Sequence, residues 1–300
     1  MKGWLVTNAF LHTHKFTEIH LWLTEAAKKF GIDLTVKTNA EILVLLDQNF
    51  ADENRKKSSY KPDFVLFWDK DIPLAQYLEM KGIPVFNSSR AIALCDNKAQ
   101  THLFLQKAGI PMPKTIIAPM TYSNIGYNSL NFLDLVEGKL DYPMVVKECF
   151  GSFGQQVYLS KNRQELMDIV KNIGAKPMLF QEFIKTSMGK DIRLQVVGNQ
   201  VVAAMYRYSD KGDFRANITI GGKMKAYEPT NKQIDLAVRS CKVLGLDFAG
   251  VDILFGKNEE PVVCEVNSNA HFKSVYDCTG INVAESILAY IVKQMCMGRK

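Results

Sequence analysis

A chain of 300 residues, 47% hydrophobic and 23% charged, is too long for one small core, and its balance excludes a disordered or low-complexity protein. The formal net charge of +6 is modest and dispersed, favouring small anionic ligands; Arg55-Lys56-Lys57, the one tight basic cluster, reads as a solvated loop rather than a nucleic-acid patch. Six cysteines without a Cys-x-x-Cys pair argue against zinc and disulfide frameworks, and no apolar stretch approaches the roughly 20 residues of a membrane helix.

The N-terminal run, broken by Asn8 and His12, reads as a first strand at 4–7 and not as a signal peptide. A helix is predicted over 18–30, stopped by Gly31, with strands at 33–37, 64–68 and 83–86 and a further helix over 72–80. This β-α-β alternation implies an α/β fold with a small parallel sheet between helices. A helix over 97–108 follows, ended by Gly109 and Pro111. Strands are expected at 115–118, 144–148, 156–159 and 178–182, with a helix over 163–173. Gly198-Asn199 marks a hairpin between strands 192–197 and 200–206. The chain closes with a helix over 232–244, strands 250–255 and 261–266, and a helix over 282–296. Three subdomains are expected: 1–93, 94–184 and 185–300.

Chemistry-bearing residues gather at strand ends. Lys147 leads through Cys149 and Phe150 into the loop Gly151-Ser152-Phe153-Gly154, and a strand follows, which excludes a P-loop. Such a hairpin can lay Ser152 and backbone N–H groups on phosphate oxygens, or be an ordinary turn. Gln181-Glu182-Phe183-Ile184 passes from strand to irregular chain, offering backbone groups to an adenine edge. Asp191 is placed to receive ribose hydroxyls; a hinge with a solvated Asp191 fits equally. Arg207, Arg215, Asn217 and the pair Gly221-Gly222 could hold phosphate or carboxylate, although lone loop arginines are usually solvated.

Asp252 sits inside the apolar run Gly250–Leu254, where an unpaired carboxylate is costly. Glu265 and Asn267, two residues apart on the next strand, point the same way. If the strands are adjacent, three oxygen donors converge on a Mg²⁺-type site. The alternative is that Asp252 pairs with an arginine and Glu265 is an edge carboxylate.

In order, Asp96-Asn97-Lys98, Lys147 with its glycine loop, Gln-Glu-Phe-Ile, Asp191-Ile192-Arg193, Phe214-Arg215-Ala216-Asn217, Gly-Gly, Ala249-Gly250-Val251-Asp252 and Glu265-Val266-Asn267 resemble the RimK-type branch of the ATP-grasp superfamily. The likeness runs over about 85–292 and is densest over 181–267. It implies an ATP-grasp fold, α+β in its ATP-binding part, behind an N-terminal Rossmann-like domain. It implies an ATP-dependent carboxylate–amine ligase that works through an acyl phosphate and releases ADP and phosphate. Lys98 and Lys147 would meet ATP phosphates, with Ser152 of the glycine loop beside them. Gln181, Glu182, Phe183 and Ile184 would form the adenine hinge, and Asp191 would take the ribose. Arg215 and Asn217 would lie at the terminal phosphates and, with Arg193, carry catalysis. Asp252, Glu265 and Asn267 would hold two Mg²⁺ ions, with Mn²⁺ as a substitute.

The substrates implied are an amino acid, a peptide or a carrier protein, with neither nucleic acid nor membrane as partner. A cytoplasmic homo-oligomer is expected. A modifying enzyme that cross-links a ribosomally made peptide and a non-catalytic nucleotide-binding module are the alternatives. The chain departs from the family at Ile220, where relatives carry a basic residue, and after Asn267, where they have a small residue and proline. Both departures fall on the substrate side, where His12, His14, His271 and Lys273 are further candidates.

Overall fold

The computed structural model describes residues 1–11, 13–46, 61–151, 154–210, 212–218 and 221–299. Three sheets carry the molecule. The first, ordered β2-β1-β3-β4, is parallel and built from β1 (Lys2–Thr7), β2 (Asp33–Thr38), β3 (Phe64–Phe67) and β4 (Val85–Phe86). Its strands show why a continuous apolar run marks burial on both faces. Leu5, Phe64 and Leu66 pack against Ile19 and Leu23 of α1 (His14–Lys29). Val6, Val65 and Phe67 pack on the other side, against Leu74 and Leu78 of α2 (Ile72–Met80) and Ile92 of α3 (Ser89–Asp96). The helix expected from residue 97 is α4 (Lys98–Lys107), and Asn97 starts it, its side chain accepting from the backbone N–H groups of Ala99 and Gln100. The separate α3 just upstream escaped the pattern, being two turns long.

The second sheet, β5-β8-β6-β7, is antiparallel: β5 (Thr115–Ile117), β6 (Met144–Glu148), β7 (Val157–Ser160) and β8 (Met178–Glu182). One face is sealed by α5 (Phe132–Glu137), which the periodicity missed, and α6 (Arg163–Ile173). The third, β11-β10-β9-β12-β13, is antiparallel and holds β9 (Lys190–Val197), β10 (Gln200–Tyr208), β11 (Lys223–Ala226), β12 (Phe248–Phe255) and β13 (Pro261–Asn267). Ile192, Leu194 and Val196 pack on α7 (Asn231–Leu244), whose start is a capping box between Thr230 and Gln233. The opposite face of β9, with Asp191, Arg193 and Gln195, turns inward to the rest of the protein. Helices α8 (Lys273–Thr279) and α9 (Val283–Cys296) follow; α8 was not foreseen.

A single core joins the first and third sheets. Leu5, Phe64 and Phe86 cluster with Val197, Met205, Phe248, Phe272 and the inner face of α9. Asn87, fully buried beyond β4, completes the join. Its Oδ1 accepts from the backbone N–H groups of Asp247 (2.6 Å) and Phe248 (3.2 Å). Its Nδ2 donates to the carbonyls of Phe248 (2.9 Å) and Ser268 (3.1 Å). Both lone pairs and both hydrogens of the amide are thus used. Among the described residues no helix is long and apolar enough to cross a membrane.

Candidate active site

The register of the third sheet sets a row of side chains on its inward face. Glu265 of β13 lies opposite Asp252 of β12, and Asp252 opposite Arg193 of β9. On the neighbouring strand Arg207 lies opposite Asp191. The bulge between Asp252 and Ile253 leaves Cys264 as an extra residue on β13. The strands are therefore adjacent, as the convergence of Asp252, Glu265 and Asn267 requires.

The arginine alternative is realised as well. Asp252 takes a bidentate pair from Arg193, Nε to Oδ1 and Nη2 to Oδ2, both 2.7 Å, and a further contact from Arg207 Nη2 at 3.0 Å. Arg207 is 2% exposed and forks onto Asp191 at 2.6 and 2.8 Å. Neither the solvated Asp191 nor a solvated Arg207 is found. Arg207 belongs to the centre, although only its strand-like surroundings in the sequence hinted at burial. Burial pushes the Asp252 carboxyl up, but Arg193 and Arg207 outweigh it and hold the group below the ordinary range. At Asp191 burial prevails over Arg207, and its pKa is raised. For Glu265 burial is again outweighed, chiefly by Lys98, so its carboxyl is held low.

Lys98 Nζ reaches Glu265 Oε1 at 3.3 Å and the Gly151 carbonyl at 3.1 Å, linking the start of α4 to the glycine loop. Lys147 ends near Cys264, Nζ to Sγ 3.6 Å. Four cations (Lys98, Lys147, Arg193, Arg207) thus face three carboxylates (Asp191, Asp252, Glu265). From the other side Arg215 donates to the Gly154 carbonyl at 2.7 Å while pairing with Asp213. Gly154 needs its positive φ of 74°, and a Cβ there would meet Asn217 Oδ1 at 3.0 Å. Arg215 and Asn217 therefore close against the glycine loop; Ser152 itself lies outside the described residues, as do His12, Ile220 and Arg55–Lys57.

On the hinge, the Glu182 backbone N–H donates to Lys114 O (2.8 Å), and Glu182 Oε2 accepts from the Lys114 N–H (3.2 Å). Phe183 stacks edge-on to Phe214. Gln181 is buried and points to His102, and Ile184 caps the 3₁₀ turn 185–187.

A cavity of about 650 Å³ lies between the first and third sheets, lined among others by Arg193, Arg207, Glu265, Asn217 and Lys98. Asp252 sits behind the two guanidiniums. The far wall is the run from Asn267 to His271, where Asn267 Nδ2, Ser268 Oγ and Asn269 Oδ1 are buried and unpartnered among the described residues. Asn269 is anchored by its Nδ2, which donates to Asp69 O at 2.9 Å. Burial and then Lys15 lower the His271 pKa to about 3, so its ring is neutral. Lys273 lines the same cavity and pairs with Asp277 at 2.6 Å; His14 is exposed at the start of α1.

The donor set fits a hard divalent cation. Two carboxylates and an amide supply oxygens, and a half-turn of the unpartnered Asn267 amide presents Oδ1 instead of Nδ2. Among the described residues no three His, Cys, Asp or Glu side chains form a metal cluster, so oxygens from another ligand would have to complete the shell.

Residues 95–291 match the family described as the RimK-like ATP-grasp domain. A Mycoplasma pneumoniae protein, "Uncharacterized protein MG012 homolog", is 32% identical over 272 residues, spanning 90% of this chain and 91% of that one. A "Probable alpha-L-glutamate ligase" of Maridesulfovibrio salexigens is 36% identical over 229 residues, 75% of this chain and 73% of that one. Among solved structures, the ATP-grasp ligase PsnB complexed with a phosphomimetic variant of minimal precursor, Mg and ADP matches with a TM-score of 0.68 at 20% identity. It covers 98% of each chain, which shows a shared fold.

Proposed function

The chain belongs to the RimK-like ATP-grasp family and is an ATP-grasp ligase, and from that premise we propose that it joins an amino acid or peptide amine to a carboxylate through an acyl phosphate. The carrying observation is the inward row Glu265–Asp252–Arg193 beside Lys98 and Lys147, of which Glu265, Arg193 and Lys98 line one cavity. In the proposed reaction a carboxylate oxygen takes the terminal phosphoryl group of ATP, and ADP leaves. The amine nitrogen then attacks the acyl carbon, the C–N bond forms, the C–O bond to phosphate breaks, and the amine loses a proton. The protein's part is to orient and to neutralise charge. Lys98, Lys147, Arg215 and Asn217 would draw the phosphates in, and the segment 181–184 would receive the adenine. Asp191 would meet the ribose with its Arg207 pair intact or shared. Arg193 would hold the reacting carboxylate or phosphoryl oxygens.

Asp252, Glu265 and Asn267 would hold two Mg²⁺ ions, or Mn²⁺, which neutralise phosphate charge when bound. The surplus of positive charge and the two guanidiniums before Asp252 disfavour a bare cation. Mn²⁺ added to nucleotide-free protein should therefore keep the paramagnetic resonance spectrum of the free ion, and ADP should draw it onto the protein. Equal binding without nucleotide would contradict this.

Membership in a ligase family sets aside the non-catalytic module. The subdomain borders near 93 and 184, a homo-oligomeric state and a cytoplasmic setting, which the free cysteines suit, belong to the same proposal. The test is ADP release from Mg-ATP with pools of amino acids, dipeptides and acidic peptides. ADP release that depends on one pool, with a new amide in the product, supports the reading. AMP release, or no stimulation by any pool, defeats it.

A further inference from the structure

His102 lies outside every role given above, yet it is 4% exposed and sits one helical turn beyond Lys98 on α4. Its Nδ1 is 2.8 Å from the Lys98 carbonyl, which can only accept, so Nδ1 carries the proton. Its Nε2 is then a lone pair, 2.9 Å from Gln181 Nε2, which donates to it. The second hydrogen of that amide goes to Thr115 Oγ1 at 2.9 Å, whose own hydroxyl donates to Pro113 O at 2.8 Å. Every bond therefore has a fixed direction: from the Gln181 amide on β8 one branch runs through the imidazole to the first turn of α4, and the other through Thr115 to Pro113. A protonated ring would set its Nε2–H against the Gln181 NH₂. Burial and then the charge of Lys147 lower the His102 pKa to about 4, which keeps the ring in the form the geometry needs.

The two ends of the imidazole branch are the two ends of the nucleotide site proposed above. Gln181 opens the hinge segment on β8. Lys98 begins α4 with its Nζ at the glycine loop and Glu265. We propose that His102 is a positioning residue that fixes the register between the adenine side and the phosphate side of that site, acting through Gln181 and the backbone of Lys98. A ligand that touches both sides gains from their fixed spacing, because its second contact is made at a high effective concentration. A ligand that touches one side does not.

This rests on the nucleotide-site reading, and the ligand split tests it separately. In His102→Phe, which keeps a ring but neither hydrogen bond, the calorimetric Kd for ADP should rise about tenfold, while adenosine and inorganic pyrophosphate stay within about twofold. His102→Leu breaks the same two hydrogen bonds with a smaller apolar side chain, remains available if the phenylalanine variant fails to fold, and should show the same split. In the parent protein, nitrogen NMR should find the His102 ring neutral and protonated at Nδ1. The proposal is overturned if ADP affinity is unchanged, if all three ligands weaken alike, or if the proton sits on Nε2. A Lys147→Ala control separates the failures. If it too leaves ADP binding untouched, the nucleotide-site reading fails; if it alone weakens ADP, only the role of His102 falls.

Discussion

Asp252→Ala is expected to lower stability by about 3–5 kcal/mol and turnover by about 10²–10³-fold or more. The two effects have separate causes. The carboxylate is buried and neutralises parts of two guanidiniums, Arg193 with two hydrogen bonds and Arg207 with a third contact. Alanine leaves Arg193 without its two carboxylate hydrogen bonds, beside an Arg207 that keeps only its fork on Asp191, and this uncompensated charge dominates the stability loss. Asp252→Asn keeps the volume and one acceptor, so it should recover part of the stability and none of the turnover. Denaturant midpoints and ADP release measure the two quantities. Parent-like stability in the alanine variant would mean that the arginines reach water and that the centre is not the closed charge cluster described.

Arg215→Ala is expected to act on turnover alone. Its side chain is about a quarter exposed, and its pair with Asp213 spans two residues, so the stability change should stay within about 1 kcal/mol. Its other contact is the Gly154 carbonyl, where it closes residues 213–217 over the glycine loop. If Arg215 faces the transferring phosphoryl group, losing it should cost about 10²–10³-fold in kcat, with a smaller change in the KM for ATP. Arg215→Lys restores the charge but not the planar fork and should recover little. A loss confined to KM would reassign Arg215 to ground-state binding.

Much of the third sheet was legible because its strands obey the period of two. In β9 the residues Ile192, Leu194 and Val196 announce one buried face, and Asp191, Arg193 and Gln195 announce a polar one. Periodicity alone cannot tell a polar face that meets water from one that meets other polar groups. That is why Asp191 and Arg207 both stayed open to a solvated reading. Glu265 and Asn267 were readable because they are local to one strand, whereas the pairing of Asp252 with arginines depends on strand neighbours far apart in sequence. The role of Asn87 was invisible for a stronger reason: its partners lie about 160 and 180 residues away. The wall beyond β13 resisted reading because Asn267 Nδ2, Ser268 Oγ and Asn269 Oδ1 are buried without partners among the described residues, so no internal pattern betrays their purpose.

Asn87 also bears on what can be cut from this protein. The stretch that matches the family begins at residue 95, so an excised fragment of 95–291 would seem a natural minimal enzyme. Such a fragment lacks the amide that occupies the backbone of Asp247, Phe248 and Ser268, and lacks the Leu5, Phe64 and Phe86 side of the shared core. Bare peptide groups would then lie at the roots of the strands that carry Asp252 and Glu265. The family segment is therefore expected not to fold by itself, and a chimaera that exchanges the first sheet is expected to need a matching residue at position 87 to keep the geometry of the carboxylates.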